Sequence, residues 1–160
     1  MGIRCTPAEM KRFFPETKVK DAPKEFVEPG LAILNGRLII LVAADTANET
    51  NQRKWKAKNR RAGQAWTAVR QAIGPNLGTL ASFARYYESG KVLRVKFVRL
   101  GGRKMDRSGI PAATKGVEDA VAYLLGCNDG DVRWLASWDQ ETGGPCGVRV
   151  EVEIACLATA

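Results

Sequence analysis

The chain has 160 residues, 45% of them hydrophobic, and carries a formal net charge of +8. This length supplies enough apolar material for one hydrophobic core, so the sequence predicts a single domain. Such a basic chain attracts polyanions, of which nucleic-acid backbones are the commonest, although a membrane surface would also attract it. The longest apolar run, residues 38–44, is far shorter than the roughly 20 residues that span a bilayer, so we expect no transmembrane segment.

The chain contains no histidine, which excludes Ser-His and Cys-His nucleophile pairs. Its four cysteines are far apart and form no C-x-x-C pair, so a structural zinc site is not expected. Residues 1–20 lack the continuous apolar stretch of a secretory signal, and we therefore expect a cytoplasmic protein with free thiols. Any hydrolytic chemistry must then use carboxylates, lysine or a metal ion.

The N-terminal part of the chain is predicted to be irregular. Residues 1–30 hold four of the seven prolines and form an extension before the main domain. Two β-rich runs follow, residues 31–34 and 37–44, separated by Asn35 and Gly36. An Asn-Gly pair supplies the positive φ angles of a type I′ turn, so these runs predict a β-hairpin.

A long basic helix is predicted from Gln52 to about Ile73. Its apolar residues recur at helical spacing and would form the buried stripe: Trp55, Ala62, Trp66, Val69 and Ile73. The remaining positions carry seven positive charges and no acid. An ordinary solvated face is the alternative, but such faces usually mix both signs so that ion pairs can form. The all-basic face therefore favours a polyanionic partner.

The second half of the chain alternates strands and helices. Residues 77–87 predict a short helix, and residues 91–100 a half-buried strand whose open face carries Arg94 and Lys96. Residues 111–125 predict a helix with Val117, Ala120, Val121 and Leu124 on its buried side and Gly126 as its C-cap. Residues 132–138 and 147–154 predict a closing hairpin.

These elements predict an α+β fold with one domain. The three strand units would share a mixed or antiparallel β-sheet, because each has an apolar face that needs a cover. The helices that begin near Gln52 and Pro111 are the two main elements available to pack on that face.

Four acids in the second half are candidate metal ligands, since separate elements could bring them to one place: Asp106, Asp119, Asp129 and Asp131. Mg²⁺ takes oxygen ligands and keeps several waters, so two or three carboxylates can hold it against a phosphate. Such an ion would generate a nucleophilic water without histidine. The spacing also fits structures without a metal site. Residues 129–131 suit an ordinary turn, and Lys115 and Asp119 suit an ordinary i,i+4 ion pair on a helix.

The stretch from Arg103 to Trp134 resembles the RusA-type Holliday-junction resolvases, particularly versions encoded by phages and prophages. The resemblance extends over residues 31–154 in the order of the elements, and it implies a RusA-like nuclease domain over residues 31–157. Enzymes of this family are homodimeric endonucleases of recombination and repair that cleave branched DNA with Mg²⁺; Mn²⁺ is the alternative metal.

The resemblance also implies roles for individual residues. Asp106 matches an acid after the strand, Lys115 the helix lysine, Asp119 the helix acid and Asp129 an acid of the next turn; all four are candidate catalytic residues. Asp106, Asp129 and Asp131 are the candidate metal ligands, although Asp131 matches only some versions of the family. The expected nucleic-acid-binding residues are Arg53, Lys54, Lys56, Arg60, Arg94, Lys96 and Arg103.

The chain departs from the family where its first acids lie. The family has two or three acids and an asparagine there, whereas this chain has Asp106 followed by Arg107, Ser108 and Gly109. Three hypotheses therefore stay open. The leading one is a structure-selective DNA endonuclease; the others are a non-catalytic DNA-binding protein of the same fold and a structural or assembly protein that binds nucleic acid through its charge.

Overall fold

The computed structural model describes residues 23–46 and 55–155, and the side chains of residues 55–58 lie outside that description. Within these ranges the chain forms five strands and three α-helices. The strands are β1 (Gly30–Leu34), β2 (Arg37–Val42), β3 (Val92–Leu100), β4 (Trp134–Glu141) and β5 (Gly147–Ala155). The helices are α1 (Trp55–Ile73), α2 (Leu77–Glu88) and α3 (Gly109–Leu124).

All five strands belong to one mixed sheet in the order β1-β2-β5-β3-β4. β5 is antiparallel to both β2 and β3, and β4 is parallel to β3. Strands β2, β3 and β4 therefore run in the same direction and end at one edge of the sheet. We call residues 43–46 and 101–107, which follow β2 and β3, the carboxyl edge. The predicted single-domain α+β fold is confirmed.

The first hairpin is confirmed in its register and its turn. Leu34 pairs with Arg37, which leaves a loop of two residues between β1 and β2. Asn35 and Gly36 have φ angles of 51° and 75°, as a type I′ turn requires.

The predicted closing hairpin is wrong, because β4 and β5 are not neighbours. β3 lies between them and pairs with β5 over its whole length and with β4 from Leu93 to Leu100. The connection from β4 to β5 passes over the end of β3 instead. There the Gly101 amide donates to the Glu141 carbonyl at 2.9 Å, and a Cβ at Gly101 would lie only 2.7 Å from the Pro145 carbonyl oxygen.

We expect Gly101→Ala to lower the free energy of unfolding by more than the roughly 1–2 kcal/mol that a left-handed non-glycine residue costs. Gly101 has a φ of 71°, and the added Cβ would also push against the Pro145 backbone. Gly143→Ala is a matched control, since Gly143 has a φ of 83° with nothing within 4 Å of its Cβ position. Urea denaturation of both variants measures the difference. Equal decreases in the free energy of unfolding would show that the connection from β4 to β5 moves away from the added Cβ at no cost.

The core lies between the sheet and two helices. One face of the central strands is fully buried and packs against α1 and α3; its members are Leu38, Ile40, Val42, Leu93, Val95, Phe97, Val148, Val150 and Val152. The C-cap of α3 is Leu125, one residue before the predicted Gly126; Gly126 follows it with a φ of 67°, and the Cys127 amide donates to the Ala122 carbonyl.

The predicted buried stripe of α1 is confirmed in part. Val69 and Ile73 are buried, whereas Ala62 is exposed, Trp66 is only half-buried and the side chain of Trp55 lies outside the description. Three alanines complete the buried side: Ala65, Ala68 and Ala72. The reason is close packing against α3, where a Cβ at Gly116 would lie 3.0 Å from the Ala65 Cβ. Small side chains on both helices permit this approach, so the larger Trp66 lies at the margin.

Part of the predicted N-terminal extension joins the sheet. The Val27 amide donates to the Cys146 carbonyl at 2.9 Å, and the Cys146 amide donates to the Glu25 carbonyl at 2.7 Å. Residues 1–22 and the predicted helix start at Gln52 lie outside the described residues. In the part that is described, no helix has the length and apolar character needed to cross a membrane.

Candidate functional site

Lys115 gathers three carboxylates on the outer side of α3. Its Nζ lies 2.9 Å from Asp119 Oδ1 and 3.7 Å from Glu118 Oε2, and it donates a hydrogen bond to Asp129 Oδ2. Helical spacing explains the first two contacts, because residues three and four apart share a face. The turn after Gly126 brings Asp129 back along the helix. We call Lys115, Glu118, Asp119 and Asp129 the lysine-centred cluster.

The cluster is charged at neutral pH. Burial alone would lower the pKa of Lys115, but its hydrogen bonds to Asp129 and Asp119 outweigh this effect and raise that pKa above its ordinary value. The hydrogen bond from Lys115 holds the pKa of Asp129 below its ordinary value of 3.8. The ammonium group therefore stays protonated and Asp129 stays ionised, so one cation faces several carboxylates.

Glu118 is the member of the cluster that the sequence did not predict. Only 7% of its side chain is exposed, and its Oε1 accepts a hydrogen bond from Trp134 Nε1 at 3.3 Å. This contact ties α3 to β4 beneath the cluster. The available sequence signal was its position three residues after Lys115, which places both on one helix face.

Asp131 lies in a different group of side chains. Its carboxylate binds Arg133 Nη2 at 2.8 Å and accepts a hydrogen bond from the Tyr87 hydroxyl at 2.7 Å. The Arg133 guanidinium also stacks over the Tyr87 ring, 4.2 Å from its centroid. These contacts fasten the turn before β4 to α2. Among the described residues, Asp131 therefore lies with Arg133 and Tyr87 and apart from the lysine-centred cluster, and its metal-binding role stays a prediction.

We expect Asp131→Asn to destabilise the protein at neutral pH and to matter less in acid. Hydrogen bonds from Arg133, and then from Tyr87, hold the pKa of Asp131 well below its ordinary value of 3.8. A lowered folded-state pKa stabilises the fold above the unfolded-state pKa, and this stabilisation disappears as pH falls through the folded-state value. Urea midpoints at pH 7 and pH 3 test the prediction. A difference from wild type that is constant with pH would contradict it, and Tyr87→Phe should give a smaller effect of the same sign.

Asp106 does not join the lysine-centred cluster. It is exposed just before α3, and its carbonyl accepts a hydrogen bond from the Gly109 amide at 2.8 Å. Ten residues of helix separate Gly109 from Asp119, a rise of about 15 Å. Across the described ranges, no group of three or more histidine, cysteine or acidic side chains is arranged to hold a metal ion.

The lysine-centred cluster offers two exposed carboxylates, so a cation bound there would need waters or substrate oxygens as its other ligands. Mg²⁺ is commonly bound through one or two carboxylates together with waters and substrate phosphates. Asp119 and Asp129 fit this pattern, since both are about half-exposed and meet at one point, the Lys115 ammonium group. A divalent ion at this point would require Lys115 to move toward an anion of the substrate.

The expected nucleic-acid-binding residues do not form one surface among the described side chains. Arg53 and Lys54, and the side chain of Lys56, lie outside the described residues. Arg60 is exposed on α1, and Arg103 is exposed at the carboxyl edge. Arg94 and Lys96 lie on the open face of the sheet.

The open face of the sheet is not basic, in contrast to the prediction from β3 alone. In register, Arg94 lies opposite Glu153 and Lys96 opposite Glu151 on β5. Lys96 Nζ also lies 3.0 Å from an oxygen of Asp139 on β4. Neighbouring strands supply these carboxylates, so the alternation within one strand could not reveal them. Cations on this face are partly neutralised before any partner binds.

Comparisons with known proteins do not identify a family. A scan against models of protein families finds none that matches this chain, and a search of curated proteins also finds no match. Function is therefore inferred from the geometry of the described residues.

Proposed function

We propose that this protein is a Mg²⁺-dependent endonuclease of the RusA type that cleaves branched DNA such as Holliday junctions. The observation that carries the proposal is the meeting of Lys115, Asp119 and Asp129 in one cluster. The resemblance named four candidate catalytic residues, and three of them lie in this cluster, whereas Asp106 does not. Both carboxylates lie at the Lys115 ammonium group, so a movement of Lys115 would leave them close together for a cation.

Each of the three residues has a separate role in the proposed reaction. Asp119 and Asp129 would hold the divalent cation with their carboxylate oxygens, and Lys115 would turn its ammonium group to a nonbridging oxygen of the scissile phosphate. When bound, Mg²⁺ supplies an acidified water and stabilises charge on the leaving oxygen. A lysine side chain with its ordinary pKa is already protonated throughout the neutral range, so Lys115 would act through charge rather than proton transfer.

A second candidate is a DNA-binding protein of the same fold without cleavage activity. The observation that favours it is the state of the cluster, in which Lys115 already neutralises both candidate ligands while Asp106 lies apart. Arg107 and Ser108 also stand where the family places further acids. In the non-catalytic candidate, the lysine-centred cluster has no catalytic role and serves only to stabilise α3 and the turn that follows it.

The experiment that decides between these candidates is a cleavage assay on a four-way junction and a linear duplex of matched sequence. Reactions with Mg²⁺, with Mn²⁺ and with a chelator should show metal-dependent cuts in the junction at a faster rate than in the duplex. Junction binding without cleavage in either metal would support the non-catalytic candidate. Absence of both binding and cleavage at low salt would leave a structural or assembly role.

The proposal includes a homodimer, because two symmetric sites are needed to cut the two strands of a junction in a paired manner. Sedimentation equilibrium of the free protein tests this part separately. A protein that stays monomeric at the concentrations used for cleavage would rule out the paired mechanism.

A further inference from the structure

A buried cation at the carboxyl edge, Arg99, has no counter-ion among the residues that the structure describes. Only 7% of Arg99, near the end of β3, is exposed. Its Nε donates to the Thr46 carbonyl at 3.4 Å and its Nη1 to the Arg103 carbonyl at 2.9 Å. Both acceptors are neutral, and within the described ranges no carboxylate lies at ion-pair distance from Arg99. Burying a cation without such a partner is costly.

Arg99 has N–H donors without an acceptor among the described residues. A guanidinium group has five N–H donors, and the two carbonyls account for only two of them. Its Nη2 lies beneath Gly102, where a Cβ would approach to 2.9 Å. Gly102 is itself exposed and has no side chain to cover Nη2.

The chain around Arg99 adds further positive charge. Residues 99–107 contain four cations and one acid. Arg103, Lys104 and Arg107 are exposed, and the structure assigns them no ion pair with a described residue. Cations elsewhere are often paired with acids, namely Lys24, Arg37, Lys96, Lys115, Arg133 and Arg149.

The carboxyl edge is also held in a fixed conformation. The Gln140 side chain on β4 accepts from the Met105 amide at 2.9 Å and donates to the Met105 carbonyl at 2.7 Å. Arg99 joins the segments that follow β2 and β3 through its two carbonyl contacts. A preorganised loop loses little conformational freedom on binding, which favours affinity. Open α/β sheets commonly bind ligands beyond the carboxyl ends of their strands.

From these observations we infer that the carboxyl edge is a phosphate-binding site, with Arg99 as its fixed anchor and Arg103 and Lys104 as its flanking cations. A phosphate group presents paired oxygens that match the fork of a guanidinium, and its charge compensates the buried cation. The site lies apart from the lysine-centred cluster, and it gives a role to three cations that the proposed cleavage reaction does not use. In the form of a DNA phosphate, it rests on the proposed function.

Inorganic phosphate tests the site on the wild-type protein without DNA. Phosphate should raise the melting temperature above that in chloride of equal ionic strength, because a ligand that binds only the folded state stabilises it. Phosphate also stabilises folded proteins in general, because it is excluded from their surface. Arg99→Gln should therefore reduce the difference to this general part, with an intermediate value for Arg99→Lys. Arg85→Gln, which removes an exposed cation from α2, should leave it unchanged. If Arg99→Gln does not fold, Gly102→Ala covers Nη2 while keeping Arg99, and it too should show only the general part.

Duplex DNA distinguishes the two sources of phosphate. The salt slope of log affinity should fall by about 0.9 in Arg99→Gln and stay unchanged in Arg85→Gln. A phosphate response that Arg99→Gln reduces, without DNA binding, would keep the site and reject the proposed function. Steep, salt-sensitive DNA binding that is equal in wild type, Arg99→Gln and Gly102→Ala, with no phosphate response beyond the general part, would reject the site and leave the proposed function intact.

Discussion

On the proposed function, Asp129→Asn should reduce metal-dependent cleavage of a four-way junction on the order of 100-fold or more. The carboxylate joins Asp119 at the Lys115 ammonium group, so it is one of only two candidate metal ligands in the cluster. A bound metal contributes several kcal/mol to stabilising the transition state, and each 1.4 kcal/mol is a factor of ten in rate. The asparagine side chain has the shape of aspartate but no charge, so the decrease in cleavage rate measures the contribution of the carboxylate charge. Single-turnover cleavage at saturating protein measures the effect.

The matched control for this variant is Asp139→Asn. Asp139 is also half-exposed and also forms an ion pair, with Lys96, but it lies on β4 away from the cluster. Exposed ion pairs contribute at most about 1 kcal/mol, so both variants should fold. Equal cleavage by wild type and Asp129→Asn would remove Asp129 from the mechanism. Junction affinity should stay within a small factor in both variants, which separates a loss of chemistry from a loss of binding.

Local patterns in the sequence predicted the elements and the first hairpin but not the order of the strands. The Asn35-Gly36 turn depends only on the conformations of two residues, so it could be read directly. The alternating pattern of β5 is the same whether its neighbour is β4 or β3. A short connection between residues 138 and 147 suits a turn, yet a turn does not specify that the strands on either side of it pair. The position of β3 between them depends on contacts between residues distant in the chain.

The candidate site was predictable to the extent that it depends on helical spacing. Lys115 and Asp119 share a face of α3 because they are four residues apart, and the resemblance added Asp129. The direction of the next turn was not predictable, so Asp131 proved to face Tyr87 instead. Arg99 was missed because it occupies an inward position of a strand, where the pattern gives no reason to expect a cation.

Phe97→Ala should lower the free energy of unfolding by about 3–5 kcal/mol, the range for truncating a buried aromatic residue. Phe97 is fully buried at the middle of β3, between Val150 on β5 and Trp138 on β4. Its ring centroid lies 6.4 Å from that of Trp134, whose indole binds Glu118 beneath the lysine-centred cluster.

The cavity left by Phe97→Ala would therefore open under both the sheet and the candidate site. Domains of this size are typically stable by about 5–15 kcal/mol, so a loss near the upper end of the expected range would leave a substantial unfolded population in a marginal protein. Val132→Ala is the control, because Val132 is 87% exposed and its truncation should change stability by no more than about 0.5 kcal/mol. Urea denaturation followed by tryptophan fluorescence measures both. A decrease of less than about 1 kcal/mol in the free energy of unfolding of Phe97→Ala would mean that α1 and α3 move into the cavity. We do not expect this movement, because the two helices already touch at Gly116 and Ala65.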